Sequence, residues 1–277
     1  MKETPSPGIY HDVPADDYHA WDAFNFSSAK HAAKSLLHYR YEKTHPKEQT
    51  AAMALGQATH VAVLEPDRFE GLYAQAPKVD RRTKAGKEQW AAFQLENDHK
   101  TVLSADDFDL CTAMSEAVWE HPLAAEILKG AGQNEISVVW ADDDGLICKC
   151  RLDRLTSFDG WTHAVDLKTC KDGSPGGFSK AVGNFDYHMQ AAHYLDGLSA
   201  HDPRERKFTF IAVENTAPHA VAVYSLSDWC VDQGRDEMEA IRKAVAEARE
   251  TDVWGGYPNE VVELELPRWR QRTEDLL

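Results

Sequence analysis

Apolar and polar residues alternate through the middle of the chain, and this pattern predicts strands. EISVVW at 135–140 alternates, ADDDG turns, and LICKCRLDRL at 146–155 returns as a hairpin partner. TSFDG is a second turn, and WTHAVDLKT at 161–169 is a third strand. KFTFIAVEN (207–215) and AVAVYSLS (220–227) predict two more. Helical periodicity surrounds these strands. Ser27 and Ser28 offer an N-cap for a helix to about Tyr41, and 50–65 reads as a second helix rich in small residues. Further helices are expected at 85–98 and at 105–129, the latter opening on an acidic capping box, Ser104 to Asp107. A helix over 186–200 follows a Gly/Ser/Pro loop at 172–177, and Ser227 caps a long amphipathic helix to about Glu250. The first twenty-five residues read as an irregular arm anchored by Tyr10, Tyr18, Trp21 and Phe24. The core order is helix, three strands, helix, strand, which predicts an α/β fold with a meander feeding a crossover.

Composition sets the outer limits. The 277 residues are 43% hydrophobic and 27% charged, as expected of a globular protein. They are read as a single domain, with an arm and helices at 1–130, a core at 131–230 and a C-terminal helix and tail at 231–277. No apolar run suits a membrane span, and the N-terminus lacks a signal-peptide core, so a cytoplasmic protein with no membrane partner is expected. Five cysteines without a CxxC pair predict free thiols. The net charge of −16 opposes broad affinity for nucleic acid. One stretch departs from it: at 77–87, Lys78, Arg81, Arg82, Lys84 and Lys87 face a single Asp80.

Candidate chemistry lies on the second and third strands. Asp166 and Lys168 are i, i+2 and project together while Leu167 points to the core. If the strands pair, Asp153 joins them. Two carboxylates suit Mg²⁺ or Mn²⁺, and a neighbouring Lys can orient a water or steady developing phosphorane charge. These are the parts of a metal-dependent phosphodiesterase.

The Asp153…Asp166-Leu-Lys168 pattern resembles the PD-(D/E)XK nuclease superfamily, with Leu152 where the family usually has Pro. The order of Gly56…His60, Glu135 and Gln190-Ala-Ala-His-Tyr194 around it is similar to RecB-like and RecE-type nucleases. The resemblance implies a PD-(D/E)XK restriction-endonuclease-like core, a central mixed sheet flanked by helices, with a helical N-terminal segment. It also implies a Mg²⁺ site, which Mn²⁺ may occupy, held by His60, Asp153, Asp166 and the Leu167 carbonyl. Lys168 would position water, Glu135 would lie near the metals or accept a proton through water, Gln190 would hydrogen-bond Lys168 or the DNA backbone, and Tyr194 would brace the scissile strand. Some relatives carry an iron–sulfur cluster, but only Cys230 lies in the last hundred residues here, so none is expected.

The implied activity is 5′-strand degradation of linear duplex DNA to 5′-mononucleotides in a phage or prophage recombination module. A trimeric or tetrameric ring and a single-strand annealing partner are implied with it. A 5′-phosphate pocket would draw on Arg151, Ser27, Ser28 and Lys30, with Arg81 and Arg82 along the DNA path. For Arg151 the competing reading is an ion pair with a nearby carboxylate, and for Ser27 it is plain helix capping. The alternatives for the whole chain are a RecB-like single-strand or flap nuclease and a non-catalytic DNA-binding protein on the same fold.

Overall fold

The computed structural model describes residues 3–45 and 50–266, so the end of the 231–277 segment lies outside the described residues. Strand β1 (Gly8–Tyr10) and helix α1 (Ala15–Ala20) give the arm regular structure that periodicity did not reveal. The first predicted helix is two: α2 (Phe26–Lys34) and α3 (Leu36–Thr44). Ser35 breaks the run because its backbone is extended and its hydroxyl accepts from His38 N, which starts α3 afresh. Asn25 caps α2 by accepting from Ser28 N at 2.8 Å, so neither predicted serine is the cap.

Helix α4 (Ala51–Leu64) follows, then α5 (Pro66–Leu72) and β2 (Tyr73–Gln75). Of the small residues of α4, Ala58 and Ala62 are buried whereas Ala51 and Ala52 are exposed. Helix α6 (Lys84–Glu96) leads to β3 (Thr101–Leu103), which pairs in parallel with β2. The predicted helix 105–129 is also two, α7 (Ala105–Glu120) and α8 (Pro122–Lys129), because Pro122 starts a new helix at its first position.

The meander is β4 (Gly132–Ala141), β5 (Ile147–Phe158) and β6 (Trp161–Cys170). Helices α9 (Pro175–Asn184) and α10 (Tyr187–Ser199) then cross over to β7 (Lys207–Glu214), with β8 (Val221–Ser225) and α11 (Asp228–Thr251) last. Helix α9 grows from the predicted loop, with Ser174 as cap and Pro175 at its first turn.

The sheet order is β1-β4-β5-β6-β7-β8, with β6 and β7 parallel and the other pairs antiparallel. This is the expected mixed sheet between helices. One core joins α2, α3, α10 and α11 to Ile136, Val138, Cys148, Cys150 and Leu152. The other joins α4, α7 and α8 to Val165, Leu167, Ile211 and Val213. Among the described residues no helix is long and apolar enough to cross a membrane.

Candidate active site

The site lies where the sheet opens. Strands β5 and β6 pair from Phe158↔Trp161 back to Arg154↔Val165 and then part. Beyond that point β5 pairs with β4 and bridges to Phe24 through Cys148, and β6 runs on beside β7. Asp153 and Asp166 are the next residues on each side of the fork. Asp153 Oδ2 accepts from Leu167 N at 2.7 Å, so a carboxylate takes the place of a strand partner.

The opposing residue on β4 is distorted as well. Asn134↔Arg154 and Ile136↔Leu152 bracket Glu135, whose φ is 54°. A non-glycine residue in the left-handed region costs on the order of 1 kcal/mol, and such residues concentrate at functional sites. Side-chain alternation inverts across this point. Cys148, Cys150 and Leu152 pack in the α10 core, whereas Arg154 donates to Gly130 O and Thr156 to Ile127 O at the end of α8. The fork is therefore reached from both layers, by α4 on one side and α10 on the other.

Helix α4 brings His60 Nδ1 to 3.4 Å from Asp153 Oδ2. Helix α10 brings Gln190 Nε2 to 2.6 Å from Asp166 Oδ1. Gln190 therefore donates to the Asp166 carboxylate, where the motif implied a hydrogen bond to Lys168 or to the DNA backbone. Lys168 Nζ stands 2.6 Å from Asp166 Oδ2, and the Tyr187 ring lies 4.5 Å from the same ammonium. Tyr187 was not foreseen, although it sits one helical turn before Gln190. The Lys168 ammonium is paired with the buried Asp166 Oδ2, which has no further hydrogen-bond partner among the described residues.

The charges are strongly coupled. Burial raises Asp166 to about 6, with Lys168 opposing the shift and Asp153 adding to it. Burial alone would lower His60, but Asp153 and then Asp166 outweigh it and raise the imidazole to about 9. Asp153 is held below the usual range because His60 and Lys168 overcome its burial. Burial likewise disfavours the charged form of Lys168, but Asp166 and Asp153 raise it.

A cleft of about 980 Å³ opens onto Asp153 and His60. Arg151, Ser27, Glu135 and Tyr194 also line it. Arg151 donates from Nε to Glu135 Oε2 at 2.5 Å and from Nη1 to Val13 O at 3.0 Å. It thus makes the carboxylate pair weighed as its alternative role while also facing the cleft. Burial and then Asp153 raise Glu135, against Arg151.

A second basic residue was missed. Lys149 is 2% exposed and donates to Tyr18 O at 2.7 Å and Trp21 O at 2.8 Å. Burial lowers its amine to about 8. It ties α1 to β5, and with Arg151 it makes the arm one wall of the cleft. Its signal was available: Lys149, Arg151 and Asp153 are i, i+2 and i+4 on one strand.

The remaining expected residues are dispersed. Ser28 lies on the first turn of α2, where Asn25 caps its N–H. Lys30 sits over the rings of Phe26 and Phe185, at 5.5 and 5.9 Å. Arg81 stacks on Trp90 at 4.3 Å, in the excursion between β2 and β3, and Arg82 adjoins it. Tyr73 and Thr101, at the roots of that excursion, line the cleft; Arg81 and Arg82 do not.

Residues 23–264 match a family described as "PDDEXK-like domain of unknown function (DUF3799)". The chain belongs to this PDDEXK-like family. A crystal structure from Eubacterium rectale, described as a "putative exonuclease", is similar to it with a TM-score of 0.62 and 13% identity. The match covers 93% of this chain and 97% of that one, and it shows a shared fold. A structure of a protein designated SSO0001 has a TM-score of 0.28 and 15% identity over 74% of this chain and 84% of that one, and carries no argument. No curated protein matches.

Metal-type side chains do not converge in threes on one point among the described residues. The PDDEXK-like carboxylates are instead neutralised by Lys168 and His60. The donor set still fits a hard divalent cation: two carboxylates, an imidazole, and one buried carboxylate oxygen with no partner but Lys168 among the described residues.

Proposed function

We propose that this PDDEXK-like protein is a metal-dependent exodeoxyribonuclease of the RecE type. It would take linear duplex DNA from an end and release 5′-mononucleotides from the 5′ strand. The observation that carries the reading is the fork: Asp153, Asp166 and Lys168 meet there, with His60 beside them at the cleft. The similar E. rectale fold, whose protein is described as a "putative exonuclease", supports it.

Asp153, Asp166, His60 and the Leu167 carbonyl would hold Mg²⁺ or Mn²⁺. The bound cation supplies charge neutralisation at the phosphate and a more acidic water. Lys168 would donate a hydrogen bond to the attacking water and offset negative charge as phosphorus becomes five-coordinate. Water oxygen bonds to phosphorus as the P–O3′ bond breaks; the attacking water gives up one proton to solvent, and the 3′-oxygen takes one up from solvent and leaves as a hydroxyl. Gln190 fixes the rotamer of Asp166 through its 2.6 Å bond, and Tyr187 limits the wandering of Lys168. Tyr194 braces the substrate strand in the cleft. Arg151, Ser27, Ser28 and Lys30 are assigned to the 5′ phosphate, and Arg81 and Arg82 to the incoming duplex. A ring-shaped homo-oligomer and an annealing partner complete the proposal.

Digestion of linear duplex labelled at either the 5′ or the 3′ end, with Mg²⁺ or EDTA, tests it. Early release of the 5′ label as mononucleotide, only with Mg²⁺, is expected. Release of the 3′ label first refutes the polarity. Digestion confined to single strands replaces the reading with a RecB-like one, and intact DNA in every condition removes it.

A further inference from the structure

We propose that Phe185, backed by Lys30, is a stacking platform for an unpaired nucleobase beside the scissile phosphate. The inference rests on the nuclease reading and adds how the substrate strand is gripped. Phe185 is 50% exposed at the junction of α9 and α10. Single exposed apolar residues are ordinary on protein surfaces, so exposure alone says little. Three further observations separate this one.

The first is the backbone. Asp186, directly after Phe185, has φ 58° and caps α10 without a side-chain hydrogen bond. A non-glycine residue held there marks a turn whose shape the surroundings impose. This turn leaves Phe185 exposed while Tyr187, two residues on, is partly buried.

The second is proximity to the chemistry. The Phe185 ring lies 5.6 Å from the Tyr187 ring, tilted by 30°, and Tyr187 covers the Lys168 ammonium at 4.5 Å. Two short steps therefore lead from the catalytic amine to the exposed ring, which is the reach of one or two nucleotides.

The third is the cation. Lys30 Nζ stands 5.9 Å from the Phe185 ring and 5.5 Å from the Phe26 ring. Phe26 and Ser27 line the cleft, so Lys30 continues that rim towards Phe185. A half-exposed ring with an ammonium over it matches the two parts of a nucleotide, base and phosphate, the base stacking on the ring as Lys30 turns to the phosphate. Inside a duplex both faces of a base are stacked on neighbours, so the platform takes an end nucleotide that has left the stack. Phe185 then holds the base while Lys30 draws the backbone towards the fork.

The test uses the whole protein in EDTA, which permits binding without cleavage. The probe is a 5′-phosphorylated single-stranded deoxyoligonucleotide with 2-aminopurine placed at successive positions from its 5′ end. Wild type should quench the fluorescence at one position. Phe185→Ala should lose that quenching and weaken binding about tenfold, while Phe185→Trp should restore both. Phe185→Leu keeps the apolar bulk without the π-face, so it guards against a folding defect; it too should lose the quenching while its melting temperature stays unchanged. Wild-type quenching and affinity in Phe185→Leu overturn the platform while leaving the nuclease reading intact. Failure of the wild type to bind the probe and to cut DNA with Mg²⁺ overturns both. Wild-type cleavage together with capture of a protein partner lost in Phe185→Ala, and with unchanged DNA binding, assigns the ring to a protein interface instead.

Discussion

His193 links acid stability to the strand that carries Asp153. Its side chain is completely buried, 4.7 Å from the Trp140 ring and 6.0 Å from the Phe24 ring. Nε2 lies 3.1 Å from the Lys149 carbonyl of β5, and Nδ1 has no partner. Burial first and then the Arg242 cation push the imidazole down to about 3 from an ordinary 6.5. The folded-state value is thus below the unfolded one. Above pH 6.5 the group is neutral in both states and has no effect. As pH falls from 6.5 towards 3, the unfolded chain takes up a proton that the folded chain refuses, and stability falls by about 1.4 kcal/mol per unit. Between pH 7 and pH 5 this amounts to roughly 2 kcal/mol. His193→Gln keeps a neutral donor for the Lys149 carbonyl and removes the titration. Urea unfolding of metal-free protein at both pH values measures it. Wild type should lose about 2 kcal/mol more than the variant over that interval. Equal losses would refute the argument that His193 is held neutral.

Asp166→Ala should abolish cleavage by removing Mn²⁺ affinity, whereas Lys168→Ala should abolish it with Mn²⁺ binding nearly intact; calorimetric titration separates them, and wild-type turnover in either defeats the site assignment. Arg151→Ala should erase a preference for 5′-phosphorylated over 5′-hydroxyl ends of about ten- to a hundredfold. A retained preference with lowered thermal stability would leave Arg151 only its Glu135 and Val13 contacts. Neutralising Arg81 and Arg82 should flatten the salt dependence of DNA affinity, each lost phosphate contact reducing the log–log slope by roughly 0.9. An unchanged slope turns that excursion away from DNA.

The strands and the three central residues were legible because period-two alternation fixes which side chains share a face. Asp166 and Lys168 had to project together, and the hairpin had to bring Asp153 alongside. The break at Ser35 was hidden, since no glycine or proline marks it and the serine acts only through its own backbone and hydroxyl. Pro122 was a visible breaker inside an otherwise helical run. The Gly/Ser/Pro composition at 172–177 suggested a loop, but Ser174-Pro175 is also how a helix begins. The recipient of the Gln190 hydrogen bond was out of reach, because it depends on how α10 lies over the fork. Lys149 was passed over for a related reason: only the folded arm supplies the carbonyls that satisfy a buried ammonium.

The arm also has its own place in the hierarchy of motions. Six residues are too few for α1 to persist as an isolated helix, and the three-residue β1 adds little holding power. Its order comes from the short β1–β4 ladder, from buried Tyr18 and from two side chains of β5, Lys149 and Arg151. Such a segment can lift off while the sheet beneath stays folded, so its amides should exchange with deuterium well ahead of those of β5. Opening of the arm would widen the cleft along one side, and under the nuclease proposal a DNA end would then have a sideways as well as a lengthwise approach.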